Sequence, residues 1–78
     1  MARIGILGAG SWGTALAILL HDNGHDVTVW SIHEKEVEML NTTRRHESKL
    51  PGIEIPEGIL FTTDMKETMS DKDVCVLA

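Results

Sequence analysis

A chain of 78 residues, 42% hydrophobic and 24% charged, is expected to form one small globular domain of the ordinary soluble type and of marginal stability. A net charge of −5 excludes the basic field that general nucleic-acid binding requires. There is no run of about 18 apolar residues that could span a membrane, and Met1-Ala2-Arg3 leads straight into a strand-like segment with no export signal. The single cysteine, Cys75, cannot form an internal disulfide; in its apolar run it is expected to be a buried small hydrophobe. Together these features favour the cytoplasm.

Residues 3–7 are a short apolar run ending at glycines, as expected of a buried parallel strand. Residues 12–22 predict a helix. Ala15, Leu16, Ile18, Leu19 and Leu20 cover most of its circumference, so it is expected to be packed on more than one side. Asn23-Gly24 supplies the stop, with Gly24 in the left-handed position. A second strand follows at 26–30, then a charged helix at 34–41 with Val37 and Leu40 facing inward. Ser31 and Glu34 have the spacing of a capping box for that helix. Pro51-Gly52 and Pro56-Glu57-Gly58 mark 42–58 as a loop. A weak third strand is expected at 59–62. Asp64 and Glu67 are placed to cap a short helix carrying Met65 and Met69, and 73–78 reads as a fourth strand. This order implies an α/β fold with a parallel, doubly wound sheet. The fourth strand has no following loop or helix, so residues 1–78 are expected to be the beginning of a longer chain.

Gly8-Ala9-Gly10-Ser11-Trp12-Gly13 is a G-x-G-x-x-G motif. Alone it is a weak signal, but here it leaves a strand, opens a helix and is followed by a second strand within about 30 residues. That context points to a dinucleotide-binding turn of Rossmann type. Gly8 permits the tight turn, Gly10 lets a diphosphate approach the backbone, and Gly13 lets helix and strand lie close. The helix start offers N–H groups and partial positive charge. Ser11 and Trp12 are expected to present backbone amides to the phosphates. The plainer readings are an N-cap for Ser11 and a ring packed between loop and helix for Trp12. After the second strand, where an NAD site usually carries Asp or Glu, the sequence reads Ser31-Ile32-His33. Ser31 could donate to a ribose oxygen or serve as a cap, Ile32 could floor the adenine or join the core, and His33 could meet a 2′-phosphate or face solvent. Acceptance of NADP, with dual use of NAD, is the expectation. His21, His25 and His46 lack metal-ligand spacing and are expected at the surface. Arg44-Arg45 is expected to be a solvated pair, and the carboxylates of the second helix a wet face. No nucleophile–base pair is found.

The run Gly8-Ala9-Gly10-Ser11-Trp12-Gly13-Thr14-Ala15-Leu16-Ala17 closely resembles the opening of bacterial-type glycerol-3-phosphate dehydrogenases. Asn23-Gly24-His25 with Val27 and Trp30, then Asn41, Leu50-Pro51-Gly52-Ile53 with Pro56, and Thr63-Asp64 extend the resemblance over the whole chain. It implies a two-domain cytosolic oxidoreductase that reduces dihydroxyacetone phosphate to sn-glycerol 3-phosphate with NADH or NADPH, for phospholipid and lipid biosynthesis. It also leaves open a homodimer of the complete protein. The resemblance maps cofactor contacts onto Ser11, Trp12, Ile32 and His33. Lys49 stands where the family usually has Tyr or Phe, and a lysine there could reach a phosphate. The family's catalytic lysines and substrate-phosphate site lie in later segments, so no catalytic residue is assigned in this chain. The expected strand order is 3-2-1-4, with the crevice at the carboxyl ends of strands one and four. Another dehydrogenase of the same fold, of 3-hydroxyacyl-CoA or 6-phosphogluconate type, or a non-catalytic NAD(P)-sensing module, remain as alternatives.

Overall fold

The computed structural model describes residues 1–47 and 49–78. In chain order its elements are β1 (Arg3–Leu7), α1 (Ser11–Asp22), β2 (Asp26–Trp30), α2 (Glu34–Thr43), β3 (Arg45–His46), β4 (Leu50–Glu54), β5 (Leu60–Thr62), α3 (Met65–Met69) and β6 (Val74–Leu77). The four strands expected from the apolar runs form one sheet in the order β5-β2-β1-β6, all parallel. This is the predicted order of third, second, first and fourth. The expected loop at 42–58 is more regular than its Pro-Gly content suggested. It completes α2, and β3 then pairs with β4 as an antiparallel hairpin.

Parallel pairing places register partners on the same face of the sheet. Ile4 and Ile6 therefore share a face with Val27, Val29 and Phe61. These side chains are buried together with Ala17 of α1 and Val37 and Leu40 of α2. The opposite face carries Gly5, Thr28 and Cys75 in register and receives α3. A Cβ on Gly5 would collide with the backbone carbonyl of Thr68, so the bare glycine is what allows α3 to lie on β1. Asp64 caps α3 as expected, its Oδ1 accepting from the Glu67 N–H at 3.1 Å. Thr68 rather than Met65 or Met69 is the side chain that α3 buries.

Cys75 is exposed, contrary to expectation. It lies on the edge strand β6, and α3 is too short to extend from β1 and β2 over it. Helix α1 is fully buried at Gly13, Thr14 and Ala17, while Leu19 is 58% exposed. Its small residues make the closest contact, and Leu16, Ile18 and Leu20 pack partly buried against the same core.

Arg44 is not a solvated side chain. It takes a left-handed conformation at the end of α2, with φ 56°, and aims its guanidinium into the turn before β5. Nη1 donates to the carbonyls of Ile59 at 2.6 Å and Pro56 at 3.3 Å, and Nη2 to that of Glu57 at 3.1 Å. The same group lies 6.0 Å from the centre of the Phe61 ring. Arg44→Ala removes a charged donor from three carbonyls and is expected to cost about 2 kcal/mol. Urea unfolding checks this; an unchanged midpoint would show the turn to be held by other contacts. Arg45 does face solvent, 3.4 Å from Glu47.

Candidate functional site

Strands β1 and β2 end side by side, tied by the Gly8 N–H donating to the Trp30 carbonyl at 2.9 Å. Beyond their tips lies an open cleft of about 300 Å³, lined by Gly8, Ala9, Gly10, Trp30, Ser31, Ile32, His33, Glu36 and Lys49. Two larger hollows, of about 430 and 530 Å³, lie along the outer face of α2 and at its N-terminal end, among charged side chains. The second reaches the start of α2, but that turn carries Glu34 and Glu36, and neither hollow contains the bare backbone of the glycine loop, so the smaller cleft is the better candidate.

The glycine loop is built for close approach at one point. Gly8 has φ +133°, a conformation that L side chains rarely adopt. Gly13 packs against the carbonyl of Gly8, where an added Cβ would collide. A Cβ on Gly10, by contrast, would meet nothing within 4 Å. Gly10 is also the N-cap residue of α1, and no side chain caps that helix. Thr14 makes the first intrahelical bond, back to the Gly10 carbonyl at 3.0 Å. The N–H groups of the turn before it have no intrahelical acceptor, and there is no acidic residue in that turn. The local field is therefore suited to an anion.

Of the residues singled out from sequence, Gly8, Gly10, Ile32, His33 and Lys49 line the cleft. Ser11 and Trp12 stand at its edge on the first turn of α1, with Trp12 64% exposed. Neither plain reading of this pair holds: Ser11 is not the cap, and the indole is not packed between loop and helix. Ile32 is 72% exposed and belongs to no core. The capping box at Ser31 and Glu34 does not close. His33 is the N-cap residue of α2, and buried Ser31 sits two residues ahead of it. Its Oγ accepts from the His33 N–H at 3.1 Å and donates to Glu36 Oε1 at 2.8 Å.

Two residues of the site were missed. Glu36 belongs to the expected wet face of α2, yet it turns into the cleft. The available signal was its position four residues before the buried Leu40, on the same side of the helix. His46 was expected at the surface and is instead buried at 1% exposure. Strand β3 carries it beneath the glycine loop, where Nε2 lies 2.9 Å from the Ala9 carbonyl oxygen and 3.6 Å from Glu36 Oε2. The Ala9 carbonyl can only accept, so the tautomer that makes this hydrogen bond has Nε2 as its donor. Nothing local in the sequence marks this contact, which spans 37 positions. Among the described residues no three His, Cys, Asp or Glu side chains are grouped to hold a metal ion. No described helix is long and apolar enough to cross a membrane.

Residues 3–78 match the family described as the NAD-dependent glycerol-3-phosphate dehydrogenase N-terminus. The chain is 55% identical over 78 residues to a glycerol-3-phosphate dehydrogenase (NAD(P)+) of Agathobacter rectalis, and 44% identical over 78 residues to that of Bacillus subtilis. In each comparison the whole chain is covered, and it spans only 23% of the relative's length. Among solved structures, the glycerol-3-phosphate dehydrogenase of Coxiella burnetii superposes with a TM-score of 0.88 at 33% identity, over 97% of this chain and 23% of that one. A diketoreductase superposes at 0.66 with 22% identity over 100% of this chain and 31% of the other, a likeness of fold alone.

Proposed function

The chain belongs to the NAD-dependent glycerol-3-phosphate dehydrogenase N-terminus family, and from that membership we propose that it holds the adenosine and diphosphate of NADH or NADPH for a complete enzyme that reduces dihydroxyacetone phosphate to sn-glycerol 3-phosphate. The observation that carries this reading is the open space over Gly10, at the uncapped start of α1 and beside the tips of β1 and β2. A diphosphate needs bare backbone and unpaired N–H groups together.

In this reading Gly8 turns the chain and Gly10 leaves room for the diphosphate, while Ser11 and Trp12 present their amides to it. Gly13 keeps α1 close enough for the helix start to reach the phosphates. Ile32 offers an apolar surface to the adenine, and His33 and Lys49 stand beside the ribose and phosphates. The bound nicotinamide would supply hydride to the substrate carbonyl. This chain's own task is to fix where that ring is delivered and to hold the diphosphate out of bulk water. Residues 1–78 then make up the N-terminal part of the dinucleotide-binding domain, and the acid–base chemistry and the substrate-phosphate site belong to other parts of the complete protein. A cytoplasmic, phospholipid-supplying enzyme, active as a homodimer, is the corresponding whole.

The complete protein is expected to oxidise NADH or NADPH in the presence of dihydroxyacetone phosphate. Neither a 3-oxoacyl-CoA nor 6-phosphogluconate should support turnover in its respective direction. Turnover of one of those compounds, with none of dihydroxyacetone phosphate, would overturn the assignment. Binding of the dinucleotide without turnover of any of them would indicate a sensing module instead.

A further inference from the structure

The tip of β2 carries Ser31-Ile32-His33, with no acid where an NAD site usually holds one to read the ribose. The fold brings a carboxylate to the same cleft by another route. Glu36, in the first turn of α2, lines it together with Gly8, Gly10 and His33. Its carboxylate is held from two sides: Ser31 Oγ donates to Oε1 at 2.8 Å, and His46 Nε2 lies 3.6 Å from Oε2. The side chain keeps 24% exposure, so it is partly desolvated yet still open to the cleft. A carboxylate has about four lone-pair positions, and these two neighbours leave some of them free for a further donor.

We infer that Glu36 is the ribose-reading carboxylate of this site, accepting a hydrogen bond from the adenosine ribose hydroxyls and opposing a 2′-phosphate, so that the site prefers NADH to NADPH. The inference rests on the cofactor reading above. A ribose hydroxyl supplies the donor that an ionised carboxylate lacks. A 2′-phosphate brings about −1.5 to −2 charges and mainly acceptor oxygens, which places like charges together in a partly desolvated cleft. The basic side chains nearby do not cancel this. His33 and Lys49 line the cleft but are exposed, so their attraction is screened and their side chains are free to move. Arg44 is committed to the carbonyls before β5, and Arg45 pairs with Glu47. Glu36 is the charge that the fold holds in place.

The test measures NADH and NADPH dissociation constants for the complete protein and for Glu36→Gln, which keeps the shape of the side chain and removes its charge. The unmutated protein is expected to bind NADH more than about tenfold tighter than NADPH, and the variant to bring the ratio below about threefold, chiefly through tighter NADPH binding. Equal affinities in the unmutated protein overturn the inference, as does an unchanged ratio in a folded Glu36→Gln protein. Should that variant fail to fold, the ratio in the unmutated protein decides alone. If neither dinucleotide binds, the cofactor reading falls and this inference with it; if both bind equally, only the role of Glu36 falls.

Discussion

Replacing Gly10 with valine is expected to weaken dinucleotide binding by at least about 100-fold while leaving the fold in place. A side chain at this position projects into open space, since nothing lies within 4 Å of its Cβ. The backbone, at φ −72° and ψ −170°, is in a region any L residue adopts. The protein itself therefore loses little: valine is a poorer N-cap than glycine, at a cost of about 1 kcal/mol or less. A diphosphate loses far more, because the valine methyl groups occupy the space from which it would reach the first amides of α1. Two displaced charge-assisted hydrogen bonds, at about 1.5–3 kcal/mol each, account for the expected factor. Calorimetric titration of the complete protein with NADH, alongside a thermal melt, reads both halves of the prediction. Unchanged affinity would place the dinucleotide elsewhere.

Gly13→Ala, three residues along the same motif, is expected to act in the opposite way, by destabilising the domain. Its Cβ would collide with the Gly8 carbonyl and come within 3.4 Å of the Ala78 side chain. The first obstacle is backbone, so no rotamer change relieves it. Helix α1 would have to lift from the loop after β1, dragging Thr14 and Ala17 out of buried positions and straining the bond from Thr14 Oγ1 to the Ala9 carbonyl at 3.2 Å. Overpacking of this kind costs about 1–3 kcal/mol, and more where backbone must shift. A small domain has only about 5–15 kcal/mol in total. Urea unfolding should show the midpoint falling sharply, with dinucleotide affinity lost as a consequence. Wild-type stability in Gly13→Ala would mean that α1 does not lie this close. The two variants thus separate the glycine that makes room for a ligand from the glycine that makes room for the fold.

The sheet order and the strands were legible because each depends on a short apolar run, and the helix ends because their signals sit within a turn of where they act. Asn23-Gly24 ends α1, with Gly24 at φ +88°, and Asp64 caps α3. The glycine loop was legible for the same reason, its three glycines acting within six consecutive positions. The errors fall where local chemistry had a competitor. Ser31 had the spacing of a capping box, but Glu36 offered its hydroxyl an acceptor, and the helix began two residues later than the box requires. Arg44 and Arg45 look alike in sequence. One met three carbonyls of a turn and the other met solvent, because the left-handed end of α2 aims only the first inward.

Period, punctuation and a glycine motif were enough to determine a four-stranded parallel sheet and an uncapped helix start with bare backbone before it, because each is set by interactions within a few residues. The character of the cleft beyond the tip of β2 was decided by packing. Glu36 and His46 come from different elements and converge under Ala9 only once α2 and the β3–β4 hairpin have settled against the sheet. A carboxylate's role depends on what surrounds it, and those neighbours are distant in the chain. No window of sequence contains them all, and so a residue that read as solvated became part of the cleft.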